Sequence, residues 1–154
     1  MRRIELRRHA PRDPDEDRLS SEGEVLAERV GTELRGPYQA VFTSPKRRAA
    51  ETAAWFLRGA RHPLPPLHGV AEGLAPPNRT PSEEDVAVAA AAIRRILADL
   101  PEGGTGLAVS HTPILEEAIR ALTGQAIEPL AACEGAVLIE EDGRVRVERE
   151  ERLD

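Results

Sequence analysis

Cysteine and aromatic residues are nearly absent from this chain of 154 residues. Cys133 is the only cysteine, so no disulfide bond can form within the chain. Aromatic residues make up only 3 % of the sequence, so the core must be built mainly from Leu, Ile, Val and Ala. A chain of this length buries enough apolar surface to fold without disulfides or a structural metal, and we expect one domain over residues 1–154.

Long apolar runs and an excess of positive charge are also missing. No stretch approaches the length of apolar residues that spans a bilayer, and the charged start Met1–Glu5 is not followed by the apolar region of a signal peptide. The formal net charge of −6 argues against a general nucleic-acid binder, whose surface is normally basic. We therefore expect a cytoplasmic protein that binds neither nucleic acid nor a membrane.

Hydrophobic periodicity and turn residues predict the element order β-α-β-α-loop-α-β-α-β-β. Strands are predicted at residues 3–8, 39–43, 106–110, 136–139 and 145–147, with a weaker one near 64–67. Helix starts are predicted at Ser21 (with Glu24), Ser44-Pro45, Ser82 (with Asp85) and Thr112-Pro113. The order indicates a three-layer α/β/α domain with a mostly parallel central sheet and a C-terminal antiparallel hairpin at one edge. Residues 148–154 are expected to fray.

Polar residues follow the predicted strands at the point where each strand ends. Arg8 and His9 end the first strand, and His111 follows the strand over 106–110. The second strand leads into a helix that carries Arg48 about one turn from its start. Ligands of such sheets bind beyond the carboxyl ends of the strands. We therefore expect two histidines and at least two arginines to converge on one pocket.

This set of side chains favours a phosphate site over a metal site. Arginines repel a metal dication, and neither histidine has an acidic neighbour in sequence, so no metal is expected. Guanidinium groups bind phosphoryl oxygens through paired hydrogen bonds, and helix N-termini after Ser44 and His111 add amide donors. Positive neighbours lower the pKa of a histidine and keep its ring neutral, as a nucleophile requires. We expect His9 to attack phosphorus and His111 to hydrogen-bond the same phosphoryl oxygens.

Three segments resemble the signature segments of the histidine phosphatase superfamily, also called phosphoglycerate mutase-like. The segments are LRRHA, TSPKRRAAETA and AVSHTP, and they occur in the family's order over nearly the whole chain. The family patterns are Arg-His-Gly, Ser-Pro-Leu-x-Arg-Ala-x-Gln-Thr-Ala and Ser-His-Gly. The resemblance implies that His9 is the phosphorylated nucleophile, that Arg8 and Arg48 hold the phosphate, and that His111 completes the pocket. The chain departs from these patterns at Ala10, Lys46, Glu51 and Thr112.

Two further site residues are suggested by the resemblance. Family members often place a glutamate after the second helix as the general acid, and Glu72 in GVAEGLAP is the best match. Glu83, Glu84 and Asp85 are nearby alternatives, although each has a sufficient structural role at a helix cap. Arg12 stands where many relatives carry a threonine after the nucleophile, and it is the candidate for a third guanidinium beside the phosphate.

The short chain points to one branch of the family. Mutases and sugar bisphosphatases of the family generally carry longer insertions over the site, whereas only residues 59–81 are available here as a lid. In its short length and in the segment EGLAP, the chain is most similar to the small phosphohistidine phosphatases. The resemblance implies a metal-independent phosphatase without a cofactor, acting on a phosphorylated protein or a small phosphomonoester. Two alternatives stay open, a sugar or nucleotide-like phosphatase or mutase of the same family, and a phosphate-binding module without turnover.

Overall fold

The computed structural model describes all residues, 1–154, as one sheet flanked by four α-helices. The strands are β1 (Arg2–Arg8), β2 (Ala40–Thr43), β3 (Leu67–Val70), β4 (Thr105–Ser110), β5 (Gly135–Glu141) and β6 (Arg144–Glu151). The helices are α1 (Ser21–Gly31), α2 (Arg47–Ala60), α3 (Glu83–Asp99) and α4 (Ile114–Thr123), and a short 3-10 helix covers Glu72–Leu74. None of the helices has both the length and the apolar character that crossing a membrane requires.

The strands pair in the order β3-β2-β4-β1-β5-β6. The first four strands of this order are parallel, and β5 and β6 form an antiparallel hairpin at the other edge. The predicted α/β class with a terminal hairpin is therefore confirmed. In the register, Arg8 at the end of β1 lies opposite Ser110 at the end of β4, and Thr43 at the end of β2 lies opposite Val109. The carboxyl ends of β1, β2 and β4 thus lie side by side.

Each face of the sheet buries its own apolar core. On one face, α3 and α4 contribute Ile93 and Ile119, both fully buried. On the other face, α1 and α2 pack around Phe56, which is also fully buried. These two helices approach so closely that a Cβ atom at Gly59 would lie 2.0 Å from the Glu28 carbonyl oxygen. Glycine is therefore required there to let the two backbones meet.

A buried ion pair lies in the core beneath α1 and α2. Arg7 Nε donates to Glu5 Oε2 at 2.7 Å, and the two residues are only 5 % and 3 % exposed. The Tyr38 hydroxyl donates to Glu5 Oε1 at 2.9 Å, and Arg7 Nη1 donates to the Cys133 carbonyl oxygen at 3.1 Å. Both charges are thus satisfied inside the protein, as buried charges must be.

Several predicted element starts shift in the structure, and α4 begins at Ile114 with Pro113, not Thr112, as its N-cap residue. The cap of α1 is Ser20, whose Oγ accepts the Gly23 amide, and not the predicted Ser21. Helix α2 begins at Arg47 rather than at Ser44-Pro45, and the third strand lies at Leu67–Val70 rather than near 64–67. The predicted capping box of Ser82 and Asp85 is confirmed.

The prediction that residues 148–154 fray is wrong. β6 continues to Glu151, and Arg152 then donates to the carbonyl oxygens of Glu128 and Pro129 at 2.8 and 2.9 Å. The Leu153 amide donates to Glu134 Oε2 at 2.9 Å. The end of the chain is therefore held by hydrogen bonds to the segment before β5.

Candidate active site

The two predicted histidines lie next to each other where β1 and β4 end. His9 follows β1 and His111 follows β4, and because these strands are paired neighbours, both rings reach the same edge of the sheet. Their ring centroids are 5.1 Å apart and the ring planes are inclined by 57°. His111 is 2 % exposed, whereas His9 is half-buried. A group that approaches His9 from solvent therefore also meets the neighbourhood of His111.

One hydrogen bond determines which nitrogen of His9 is free. His9 Nδ1 lies 2.7 Å from the Ala10 carbonyl oxygen. A carbonyl only accepts, so Nδ1 carries the ring hydrogen, and the neutral ring keeps a lone pair on Nε2. Ala10 is itself anchored, because its amide donates to Thr52 Oγ1 of α2 at 3.0 Å. Nε2 is therefore the nitrogen of His9 that is suited to nucleophilic attack.

Ser44 orients the second histidine. Its Oγ lies 2.6 Å from His111 Nε2 and also accepts the Lys46 amide at 3.2 Å. One lone pair of this oxygen accepts the Lys46 amide, and in one of the two ring tautomers of His111 the Ser44 hydroxyl donates its hydrogen to Nε2. A neutral His111 then carries its hydrogen on Nδ1, which is buried and has no hydrogen-bond partner within the protein.

Arg8 is held by a backbone carbonyl and not by a carboxylate. Its Nη1 donates to the Leu130 carbonyl oxygen at 2.8 Å, while its Nε is buried without a partner. Leu130 is fixed in turn, because its amide donates to Glu116 Oε2 at 2.9 Å. The guanidinium is thus positioned without its charge being neutralised by a contacting acid.

Arg48 lies in the first turn of α2, and its side chain is 13 % exposed. Its Nη1 donates to Asp17 Oδ1 at 2.9 Å, and its Nε is buried without a partner. Of the five buried side-chain nitrogen or oxygen atoms that lack partners, three are the Nε atoms of Arg8 and Arg48 and Nδ1 of His111. Buried polar atoms are ordinarily paired, and the charges of both arginines act on His9, so these unpaired atoms are suited to binding an anion.

Arg12 lies farther from the histidine pair. It is exposed, and its Nε donates to the carbonyl oxygen of the adjacent Asp13 at 3.1 Å. Its side chain makes no hydrogen bond to either histidine, although its positive charge contributes to lowering the pKa of His9. Arg12 therefore acts on His9 through its charge and not through contact.

Glu72 lies on the short helix after β3. The preceding residue is tied to the end of β2, since the Ala71 amide donates to the Thr43 carbonyl oxygen at 2.7 Å. The Glu72 side chain is exposed and lines a cavity of about 400 Å³ together with Phe42 and Val88. Glu72 thus reaches the same edge of the sheet as the histidines, but no hydrogen bond joins it to them.

Both histidines have lowered pKa values. Burial, together with the charges of Arg48 and Arg8, lowers the pKa of His9 to about 4, against the opposing effect of the Ala10 hydrogen bond. Burial and, to a smaller extent, the charges of His9 and Arg48 lower the pKa of His111 to about 3. Both rings are therefore neutral at pH 7, the state in which His9 is a nucleophile.

We expect neither imidazole to take up a proton between about pH 7 and pH 5, against an unperturbed histidine pKa of about 6.5. NMR titration of the ring Hε1 signals, assigned with His9→Ala and His111→Ala, measures this directly. Because both pKa values are lower in the folded state, the unfolded chain binds more protons below about pH 6.5, and stability should fall from there toward pH 4. A midpoint near 6.5 for either ring would contradict the expectation.

Sequence reasoning missed two residues that position the site. Ser44 was predicted as a helix cap, whereas it contacts His111, and the signal available was its place directly at a strand end. Asp17 carried no signal, because it lies in a polar loop among other acidic residues. The amides of Arg47 and Arg48, expected to be open to phosphate, donate to Asp17.

Comparisons with known proteins find one matching family model and several solved structures with a similar fold. Residues 5–74 match the family model of the histidine phosphatase superfamily (branch 1), and no curated protein sequence matches the chain. The protein histidine phosphatase SixA complexed with tungstate superposes with a TM-score of 0.71 at 21 % identity, covering 97 % of this chain and 96 % of that one. A mycobacterial glucosyl-3-phosphoglycerate phosphatase gives 0.79 at 17 % identity, covering 99 % of both chains. An Entamoeba histolytica phosphoserine phosphatase mutant, in complex with phosphoserine, gives 0.74 at 16 %, covering 98 % and 97 %. These identities establish a shared fold.

Proposed function

Since the resemblance of this chain to the histidine phosphatase superfamily is confirmed by the match over residues 5–74, we propose that the protein is a phosphatase that works through a phosphohistidine on His9. Its substrates are phosphomonoesters or phosphohistidine. The observation that supports the proposal most strongly is the free Nε2 of His9 beside three buried, unpartnered donors. Arginine side chains supply the positive charge, so the mechanism needs no metal.

In the first step, His9 Nε2 attacks phosphorus. A nitrogen–phosphorus bond forms while the bond from phosphorus to the leaving group breaks. The ring becomes positively charged, and its Nδ1 hydrogen remains bonded to the Ala10 carbonyl oxygen, which stabilises that charge. The Nε atoms of Arg8 and Arg48 and Nδ1 of His111 donate to the phosphoryl oxygens, and Arg12 adds its charge from the loop.

We assign the proton transfers to Glu72. As a carboxylic acid, it protonates the leaving group when the bond to phosphorus breaks. As a carboxylate, it then accepts a proton from the water that attacks phosphohistidine, so that inorganic phosphate leaves and His9 returns to its neutral form. Two features support this role: the Glu72 side chain is exposed, and the hydrogen bond from the Ala71 amide to the Thr43 carbonyl oxygen holds the preceding residue at the end of β2.

Trapping of a covalent intermediate tests the proposal. The protein is mixed with radiolabelled p-nitrophenyl phosphate and quenched in alkaline detergent, because a nitrogen–phosphorus bond survives alkali and is hydrolysed in acid. We expect transient labelling of the protein and loss of that label on brief acid treatment. A protein that hydrolyses the substrate but carries no label at any time, or carries label that survives acid, would rule out phosphohistidine.

Substrate profiling separates the proposal from its alternatives. A panel of phosphohistidine peptides, phosphoserine peptides, sugar phosphates and nucleotides is hydrolysed under identical conditions, and kcat/KM values are compared. Preference for phosphorylated peptides supports a protein phosphatase, whereas preference for sugar phosphates or nucleotides assigns the small-molecule alternative. Tight phosphate binding with no hydrolysis of any member would identify a binding module.

A further inference from the structure

Asp17 links the loop after His9 to the first turn of α2. Its Oδ2 accepts the Arg47 amide at 2.9 Å, and its Oδ1 accepts the Arg48 amide at 3.2 Å. The same Oδ1 accepts Nη1 of the Arg48 side chain at 2.9 Å. One carboxylate therefore binds both the backbone and the side chain of Arg48.

Helix α2 depends on this carboxylate because it has no cap of its own. Its N-cap residue, Lys46, makes no side-chain cap hydrogen bond, and its first turn contains no acidic residue. Free amides at a helix start carry partial positive charge and are stabilised by an acidic partner. Asp17 supplies that partner from about thirty positions earlier in the sequence.

The contact leaves part of the Arg48 guanidinium free. Asp17 hydrogen-bonds a single guanidinium nitrogen, Nη1, while the Nε of Arg48 is buried without a partner. A guanidinium is planar and rigid, so fixing one nitrogen orients the others. The carboxylate thus holds the guanidinium group in place without using the Nε donor that phosphate binding requires.

We propose that Asp17 is the positioning residue of Arg48, holding its guanidinium so that Nε faces the phosphoryl group on the His9 side of the pocket. The proposal rests on the proposed function only in taking phosphate as the ligand. An internal anion that competed with phosphate would be expected to bind the guanidinium through two nitrogens, as carboxylates do in bidentate pairs. The single-nitrogen contact favours positioning.

The loop offers two matched control positions. Asp13 accepts the amides of Asp15 and Glu16 at 2.8 and 3.2 Å and thus stabilises the loop without touching Arg48. The exposed Asp15 side chain accepts no hydrogen bond, so Asp15→Asn removes one charge from the same loop and no contact. These variants separate the Arg48 contact from loop order and from net charge.

The test measures binding of inorganic phosphate by isothermal titration calorimetry. Asp17→Asn keeps one of the two oxygens that accept hydrogen bonds from α2 but removes the negative charge paired with Arg48, and we expect phosphate to bind about tenfold more weakly. Asp13→Asn and Asp15→Asn should bind phosphate within about two-fold of the wild type. Thermal unfolding of each variant verifies that it is folded.

Repeating the measurement in the Arg48→Ala variant separates a positioning role of Asp17 from a general structural role. In Arg48→Ala, the Asp17→Asn substitution should have no further effect on phosphate binding, because the side chain it positions is absent. Tighter phosphate binding by Asp17→Asn would show that Asp17 competes with phosphate for Arg48. An equal loss of phosphate affinity in the wild type and in Arg48→Ala would show that Asp17 only caps the helix. Either result overturns the proposal. Since the readout is binding, it remains decisive even if the phosphatase assignment itself fails.

Discussion

Replacing His9 with alanine is expected to slow the hydrolysis of p-nitrophenyl phosphate by at least about 10⁴-fold and to abolish the labelled protein intermediate. The reason is that in the proposed mechanism His9 Nε2 is the atom that bonds to phosphorus, while Nδ1 is held by the Ala10 carbonyl oxygen. No other neutral nitrogen in the pocket is placed to replace it, because His111 Nε2 is engaged by Ser44 Oγ at 2.6 Å. Steady-state kinetics and alkaline trapping measure the two effects.

Glu72→Gln is the informative control for this experiment. Nitrophenolate is a good leaving group that needs little protonation, so the Glu72 variant should still be labelled by p-nitrophenyl phosphate and should then lose its label slowly. The same variant should be much poorer than wild type with an alkyl phosphate, whose leaving group needs the acid. A His9→Ala protein that traps label as well as the wild type would remove His9 as the nucleophile.

The second large effect is on stability and concerns Arg7. We expect Arg7→Ala to lower the free energy of unfolding by about 3–5 kcal/mol, a substantial part of the total stability of a domain of this size. The substitution leaves Glu5, which is 3 % exposed, with only the Tyr38 hydroxyl as a partner. It also removes the donor to the Cys133 carbonyl oxygen. Urea unfolding followed by circular dichroism gives the difference directly.

A double variant distinguishes the loss of a partner from the loss of packing. Glu5→Gln combined with Arg7→Met keeps much of the buried volume and removes both charges, so it should recover most of the stability lost in Arg7→Ala. Arg47→Ala serves as the surface control, because its ion pair with Glu51 is exposed and is expected to contribute less than about 1 kcal/mol. An Arg7→Ala protein as stable as this control would show that the buried pair contributes little.

The fold was predictable wherever its cause is local in the sequence. β4 is an apolar run, and the amphipathic α3 begins with a capping box, so both could be predicted from short windows. The last part of β6 was missed because its residues are charged and its order comes from distant partners. Arg3, for example, donates to Glu148 at 3.0 Å across the sheet. A polar segment stabilised by such contacts has the composition of a disordered tail.

The same distinction holds for the candidate site. His9, Arg8 and His111 stand at strand ends, and Arg48 lies one turn into a helix, so the topology of the sheet alone suggests that they meet. The structure brings His9 and His111 to a ring separation of 5.1 Å. The contacts that orient the arginines were not predictable, because Leu130 and Asp17 act from segments whose placement depends on the complete fold.

The anchoring of Arg152 has a practical consequence for handling the protein. Arg152 binds the carbonyl oxygens of Glu128 and Pro129, immediately before Leu130, whose own carbonyl holds Arg8. Carboxypeptidase trimming that removes Arg152, or a purification tag fused directly after Glu151 in its place, would therefore loosen the segment that holds the Arg8 guanidinium. The C-terminal residues of this chain thus help to hold Arg8 at the candidate site.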